Sequence, residues 1–230
     1  MKEDEGMAEN QKKMVNETAQ TIKSLIAAVD KHPDDPQTYY NLGSMLTELK
    51  NYQQAEELFK KALQYFKRDE QRELLHYGLG NVFYASELYQ EAKNEFQQIT
   101  QTKLKTAALL MRAQTEYAQA NYQISLAYAL TAVEEGKNRS ALMLAGENLL
   151  ALGDFAQAKN YFDQLLEQWP HDKEANFQRG IVGMVMGEKS VDFFKRVEEN
   201  DPDYFKKMKA RLVDVEKFIT AQKQKNQGGK

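Results

Sequence analysis

The chain has 230 residues, 42% hydrophobic and 28% charged, with a formal net charge of −3, values that exclude a disordered chain and give no general attraction to nucleic acid or anionic lipid. The lack of cysteine excludes disulfides, thiolate metal sites and a cysteine nucleophile. Four prolines and twelve glycines are too few for an all-β protein, whereas abundant Ala, Leu, Glu, Lys and Gln favour helices.

The opening residues, MKEDEGMAENQKKM, lack the apolar run of a secretory signal, and no stretch approaches the ~18 apolar residues that span a bilayer. A cytoplasmic protein is expected. A helix is predicted over residues 8–31, with Val15, Ala19, Ile22, Leu25, Ile26 and Val29 as its apolar stripe and Pro33 beyond its end. HPDDP then offers Asp35 as an N-cap and Pro36 as a first helical residue. NDP repeats the device with Asp201 and Pro202, and Asp172 follows Pro170 as another cap.

From Gly43 onward a small residue recurs at Gly80, Ala113, Gly146 and Gly180, at intervals of 37, 33, 33 and 34 residues. A period of about 34 is that of a helix–turn–helix repeat. Other positions move in step. The first copy carries Tyr39, Leu42, Gly43, Leu46, Tyr52, Ala55, Phe59 and Ala62. The second carries His76, Leu79, Gly80, Phe83, Tyr89, Ala92, Phe96 and Ile99. In the third, Ala113, Tyr122, Ser125, Ala129 and Ala132 hold the frame while Arg112 takes a leucine position. The fourth carries Leu142, Ala145, Gly146, Leu149, Phe155, Ala158, Phe162, Leu165 and Pro170. The fifth aligns once two residues are removed from its turn, giving Gly180, Ser190, Phe194, Val197 and Pro202. A last stripe, Phe205, Met208, Leu212, Val215 and Ile219, is expected to cover the final repeat.

The spacing has a physical reading. Small residues let paired helices approach near the short end of the 8–10 Å range, and the rings fill the space beside that contact. Tyr39 is expected in such a packing position, while Tyr40, about 100° further round the helix, faces elsewhere.

These residues resemble the tetratricopeptide repeat family, in its bacterial cytoplasmic form, over residues 36–202. The resemblance implies an all-α fold: a right-handed superhelix, or α-solenoid, of about five helix–turn–helix units with N- and C-terminal capping helices. The expected parts are a tail and capping helix over 1–35, repeats near 36–72, 73–105, 106–138, 139–172 and 173–202, a capping helix over 203–222 and a flexible tail over 223–230.

The resemblance also implies a non-catalytic adaptor whose first helices line a concave groove for a peptide or helical segment of a protein partner. Carried onto this sequence, that face is Tyr40 and Ser44; Tyr77, Asn81 and Tyr84; Leu110, Gln114 and Tyr117; Met143, Glu147 and Leu150; and Phe177, Ile181 and Met184. Tyrosine gives large contact area with few rotamers, which suits an interface. Members that bind chaperone C-terminal carboxylates use lysine, arginine and asparagine there; Tyr40, Tyr77, Leu110 and the acidic Glu147 disfavour that ligand.

No catalytic constellation is visible. His32 and His171 adjoin prolines in turns, and His76 sits in a packing position. Glu73–His76 matches Glu-x-x-His, but the second copy a di-iron bundle needs is missing. Gly78–Gly80 lacks the third glycine of a phosphate cradle. Asn138–Ser140 matches a glycosylation acceptor, expected to be inert without a secretory signal. An enzyme, a cofactor and a metal site are therefore not expected, nor is a membrane partner.

Charge is uneven. Residues 203–230 hold eight Lys/Arg against three Asp/Glu, so the rest of the chain is acidic. Lys206, Lys207, Lys209 and Arg211 offer RNA or an acidic protein as an alternative ligand, and self-association is a second alternative. A solvated helix face is the plainer reading of those lysines, so nucleic acid is disfavoured.

Overall fold

Five turns of nearly identical geometry punctuate the chain, and the helices hang from them. The computed structural model describes residues 2–100, 103–136 and 138–227. Among these residues the chain forms twelve α-helices and no strand. They are α1 (Lys2–Lys31), α2 (Pro36–Glu48), α3 (Tyr52–Tyr65), α4 (Asp69–Ala85), α5 (Tyr89–Gln97), α6 (Lys105–Ala118), α7 (Tyr122–Glu135), α8 (Arg139–Ala151), α9 (Phe155–Gln168), α10 (Lys173–Met186), α11 (Val191–Asn200) and α12 (Pro202–Gln227). Among the described residues no helix is long and apolar enough to cross a membrane.

The turns joining α2–α3, α4–α5, α6–α7, α8–α9 and α10–α11 each place one residue in the left-handed region: Lys50, Glu87, Ala120, Gly153 and Gly187. Each is closed by the same pair of backbone hydrogen bonds, as in Asn51 N–H to Leu46 C=O (2.8 Å) and Lys50 N–H to Thr47 C=O (2.9 Å). This is the Schellman arrangement, which satisfies the last carbonyls of a helix. Starts are capped as well. Asp35, Asn138, Asp154 and Asp172 each accept a hydrogen bond from a backbone N–H of the helix that follows, and Asp201 accepts one from Tyr204 N–H (2.9 Å).

The chain folds as two compact units, residues 1–115 and 116–230. In the first, Phe59 of α3 is fully buried and lies between two glycines. A Cβ at Gly43 of α2 or at Gly78 of α4 would stand 2.3 Å from the same ring carbon. Gly78 thus has a packing purpose: it admits the ring of the preceding repeat. Gly80 gives the same clearance to Phe96. In the second unit Gly146 faces Phe162 and Gly180 faces Phe194. One glycine and one ring recur in four of the five helix pairs and explain the period read from the sequence; in α6–α7 the same two positions are the buried Ala113 and Ala129.

Five expectations need correction. The first helix begins at Lys2 rather than residue 8, and α12 continues to Gln227 instead of ending at 222; both extensions are rich in Lys, Glu and Gln, with no proline to stop them. Residues 228–230 of the expected tail lie outside the described residues. The second repeat begins at Asp69, four residues before 73, where Asp69 and Glu70 suit the positive end of α4.

The fifth copy does not lose two residues from its turn. That turn, residues 187–190, is one longer than its counterpart at 152–154. The shortening falls on α11, which starts three residues before Phe194, whereas α9 starts seven before Phe162. Ser190 still packs closely, its Cβ 3.3 Å from where a Cβ on Gly183 would stand.

Finally, the stripe on α1 is only partly used. Ile22, Leu25 and Val29 are half-buried, but Ala19 is exposed and Met14 and Val15 are each 67% exposed. At 13 residues, α2 is too short to cover a 30-residue helix. At the other end, Phe205, Met208, Leu212 and Val215 of α12 pack with Tyr204 on Phe177, Ile181 and Val197, closing that core.

Candidate protein-interaction face

In the first unit the tyrosine pair separates as its helical positions require. Tyr39 sets its ring edge-on to Phe66 (centroids 5.5 Å apart) and donates its hydroxyl to Pro33 C=O (3.2 Å). It is half-buried rather than fully covered. Tyr40 turns the other way. Its ring stacks on Tyr77 of α4, at 6.4 Å and 24°, and leans on Phe59. Tyr77 in turn leans on Phe96.

Burial raises the Tyr77 phenol above its ordinary range, nearby Tyr40 adds to this, and a hydrogen bond with Asn81 opposes it. Beside the stack is a cavity of about 250 Å³ lined by Tyr40, Ser44, Thr47, Glu48, Gly78 and Asn81. The Asn81 side-chain oxygen is buried and has no hydrogen-bond partner. Tyr84, one turn along, is half-buried with its edge against Tyr89.

Thus Tyr40, Ser44 and Asn81 share one cavity and Tyr77 adjoins it. Thr47, Glu48 and Gly78 were not among the residues expected there. Glu48 continues the Tyr40–Ser44 row at helical spacing, so that row could have revealed it. Gly78 contributes by having no side chain, which leaves no signal of its own.

Leu110 and Gln114 of α6 are half-buried. Within the second unit, Tyr117 at the end of α6 sets its edge against Tyr122, and its phenol is raised first by burial and then by the charge of Glu147. Met143 is buried, and Leu150 packs on the cluster around Leu142 and Phe162. Met184 is half-buried. Phe177 and Ile181 are 0% and 3% exposed beneath α12. The expected face is therefore occupied by the chain itself at these two positions, because α12 folds back onto α10 after Pro202.

Glu147 remains half-buried and accepts a hydrogen bond from the Gln178 side-chain amide (3.3 Å). Burial pushes its carboxyl above the ordinary range. Nearby, Arg139 holds both Asp172 and Glu174, with Asp172 the main cause of its raised basicity.

Other polar groups are tied down structurally. Glu73 accepts from Thr100 N–H (3.0 Å) and His76 Nδ1 meets Glu95 at 2.7 Å, so Glu73 and His76 serve different neighbours. Asn138, first residue of the apparent glycosylation acceptor, caps α8 through Ala141 N–H (2.8 Å). Nothing in the residue pattern marks Arg179 as buried. It bonds Asp163 (2.7 Å) and Glu188 (3.2 Å) and lies 4.8 Å from the Phe193 ring centroid.

Helix pairs closed by a glycine and a ring, and joined by recurring turns, define a helical repeat protein of the interaction-module class. The chain belongs to the tetratricopeptide repeat family: two family models, both described as tetratricopeptide repeat, match residues 34–105 and 143–204, together more than half of it. No curated protein matches the chain.

Among solved structures it is similar to YrrB, described as a TPR protein with an unusual peptide-binding site. That match has 21% identity and a TM-score of 0.59, and covers 83% of this chain and 99% of YrrB. It is also similar to pilF of Pseudomonas aeruginosa, with 14% identity, a TM-score of 0.68 and coverage of 86% and 91%. Yeast Tom70 is 16% identical with a TM-score of 0.68, covering 88% of this chain and 43% of Tom70. At these identities the likeness concerns the fold.

Proposed function

We propose that the first-helix faces of the repeats bind a segment of a partner protein, and that the chain is a non-catalytic adaptor. The observation that carries this reading is the Tyr40–Tyr77 stack beside its cavity, with the unpartnered Asn81 oxygen available to a donor. A half-buried aromatic pair beside a buried acceptor that lacks a donor suits a peptide, which brings both side chains and backbone N–H groups. The peptide-binding site ascribed to YrrB is consistent with it.

The test is selection from a displayed random-peptide library on the full chain and on a Tyr40→Ala/Tyr77→Ala variant. Wild type should enrich a peptide family that the variant binds at least tenfold more weakly. Equal enrichment by both proteins sinks this assignment of the site.

A second reading, self-association, is favoured by Met14 and Val15, whose exposure on α1 leaves apolar surface uncovered. Under that reading the mass from light scattering rises with concentration, and Met14→Lys/Val15→Lys returns it to the monomer value.

A further inference from the structure

Resting on the reading that first-helix faces bind a peptide, we propose that the second unit by itself holds a receptor for one lysine or arginine side chain of a bound peptide, built from the Glu147 carboxylate and the Gln178 side-chain oxygen. Gln178 is 7% exposed. Its amide nitrogen donates to Glu147 Oε1 at 3.3 Å, which fixes the amide's orientation, since reversing it would set oxygen against oxygen. The Gln178 oxygen is then left buried with no partner. Buried acceptors without donors are rare in folded proteins. This one belongs to the same amide whose nitrogen donates to Glu147, so the unpartnered acceptor and the carboxylate sit on two side chains in direct contact.

The chemistry of the occupant follows. Lysine and arginine side chains carry several donors and no acceptor. A carboxylate or phosphate brings only acceptors and a charge of the wrong sign. Among the described residues no cation stands within ion-pair distance of Glu147.

The charged and titratable neighbours come from four helices. Arg139 of α8 is taken by Asp172 and Glu174. Glu174 of α10 and Arg211 of α12 act on Glu147 only at longer range. The Tyr117 phenol of α6 and the Tyr204 phenol of α12 both sense Glu147 and Arg211. The carboxylates of Glu147, Asp172 and Glu174 against the guanidiniums of Arg139 and Arg211 leave the niche with one negative charge in excess, which an incoming cation neutralises.

The library selection is repeated with Glu147→Gln, a near-isosteric change whose folding is checked by circular dichroism. Peptides enriched by wild type should share a Lys or Arg at one position. Replacing that residue by norleucine in a synthetic peptide should weaken wild-type binding about tenfold, a usual scale for a charge-assisted hydrogen bond, and should not alter binding to Glu147→Gln. Enriched peptides without a common basic residue, or equal losses in both proteins, overturn the receptor while leaving peptide binding intact. If wild type enriches no peptide, the underlying reading fails and the receptor with it. Arg211 is the rival occupant: Arg211→Ala would then destabilise wild type but not Glu147→Gln, and basic peptides would gain nothing. That outcome also overturns the proposal.

Discussion

Phe59 touches glycine on both faces, so it cannot yield to an added methyl group on either side. Gly43→Ala and Gly78→Ala should each cost about 3 kcal/mol, the upper end for overpacking, despite alanine's better helix propensity. Gly136→Ala is the control. Nothing lies within 4 Å of its added Cβ and its backbone is extended (φ 172°), so thermal melting should barely shift. Ala120 is exposed at φ 59° with nothing to lose by truncation, and Ala120→Gly should stabilise the chain by about 1 kcal/mol in urea titrations. These residues also show what the sequence could disclose. Gly43, Gly80, Gly146 and Gly180 were legible because each repeats at the period of its own helix pair. Gly78 was not, because its partner ring belongs to the previous pair. The left-handed positions carry glycine at Gly153 and Gly187, but at Lys50, Glu87 and Ala120 an ordinary side chain tolerates that conformation and leaves no mark in the sequence. Glu147 was legible as a charge but not as a half-buried one. Burial raises its folded-state carboxyl, so the folded form binds the extra proton and stability falls as pH rises through that window. Glu147→Gln should therefore melt above wild type at pH 7 and level with it in acid below the ordinary carboxylate range.

At the scale of the element, the two terminal helices show the same sequence signal with different outcomes. The α12 stripe was read correctly as a cover because Phe205, Met208, Leu212 and Val215 meet an exposed core end. Whether that helix also fills the expected groove over Phe177 and Ile181 stays open in the sequence, since the path of the chain after Pro202 is a tertiary property. Deleting residues 202–230 should uncover Phe177, Ile181 and Val197, at roughly 1.5–3 kcal/mol for each side chain fully exposed. Limited proteolysis should then cut within α10 and α11 under conditions where the intact chain resists. The α1 stripe looked equally apolar, yet a 30-residue helix of about 45 Å has only a 13-residue neighbour of about 20 Å in α2. Length, rather than pattern, decides which half of such a helix finds cover.

For the whole molecule, repeat proteins distribute stability among units and their neighbouring interfaces instead of one shared core. Gly146→Ala presses on the fully buried Phe162 of the second unit. Hydrogen exchange should show α8 and α9 losing protection in this variant while α3 and α4 keep theirs. Uniform loss along the chain would mean that it unfolds as one cooperative body. The ring of Phe59 makes a further point about construction. Its second glycine, Gly78, precedes Gly80 by two residues; the matching positions before Ala113, Gly146 and Gly180 are Met111, Leu144 and Gln178. The modules of this array are consequently not interchangeable cassettes. The first hairpin has one compatible successor, and duplicating or reordering it would strand a phenyl group against a full side chain. Sequence order along the chain is written into the junction itself.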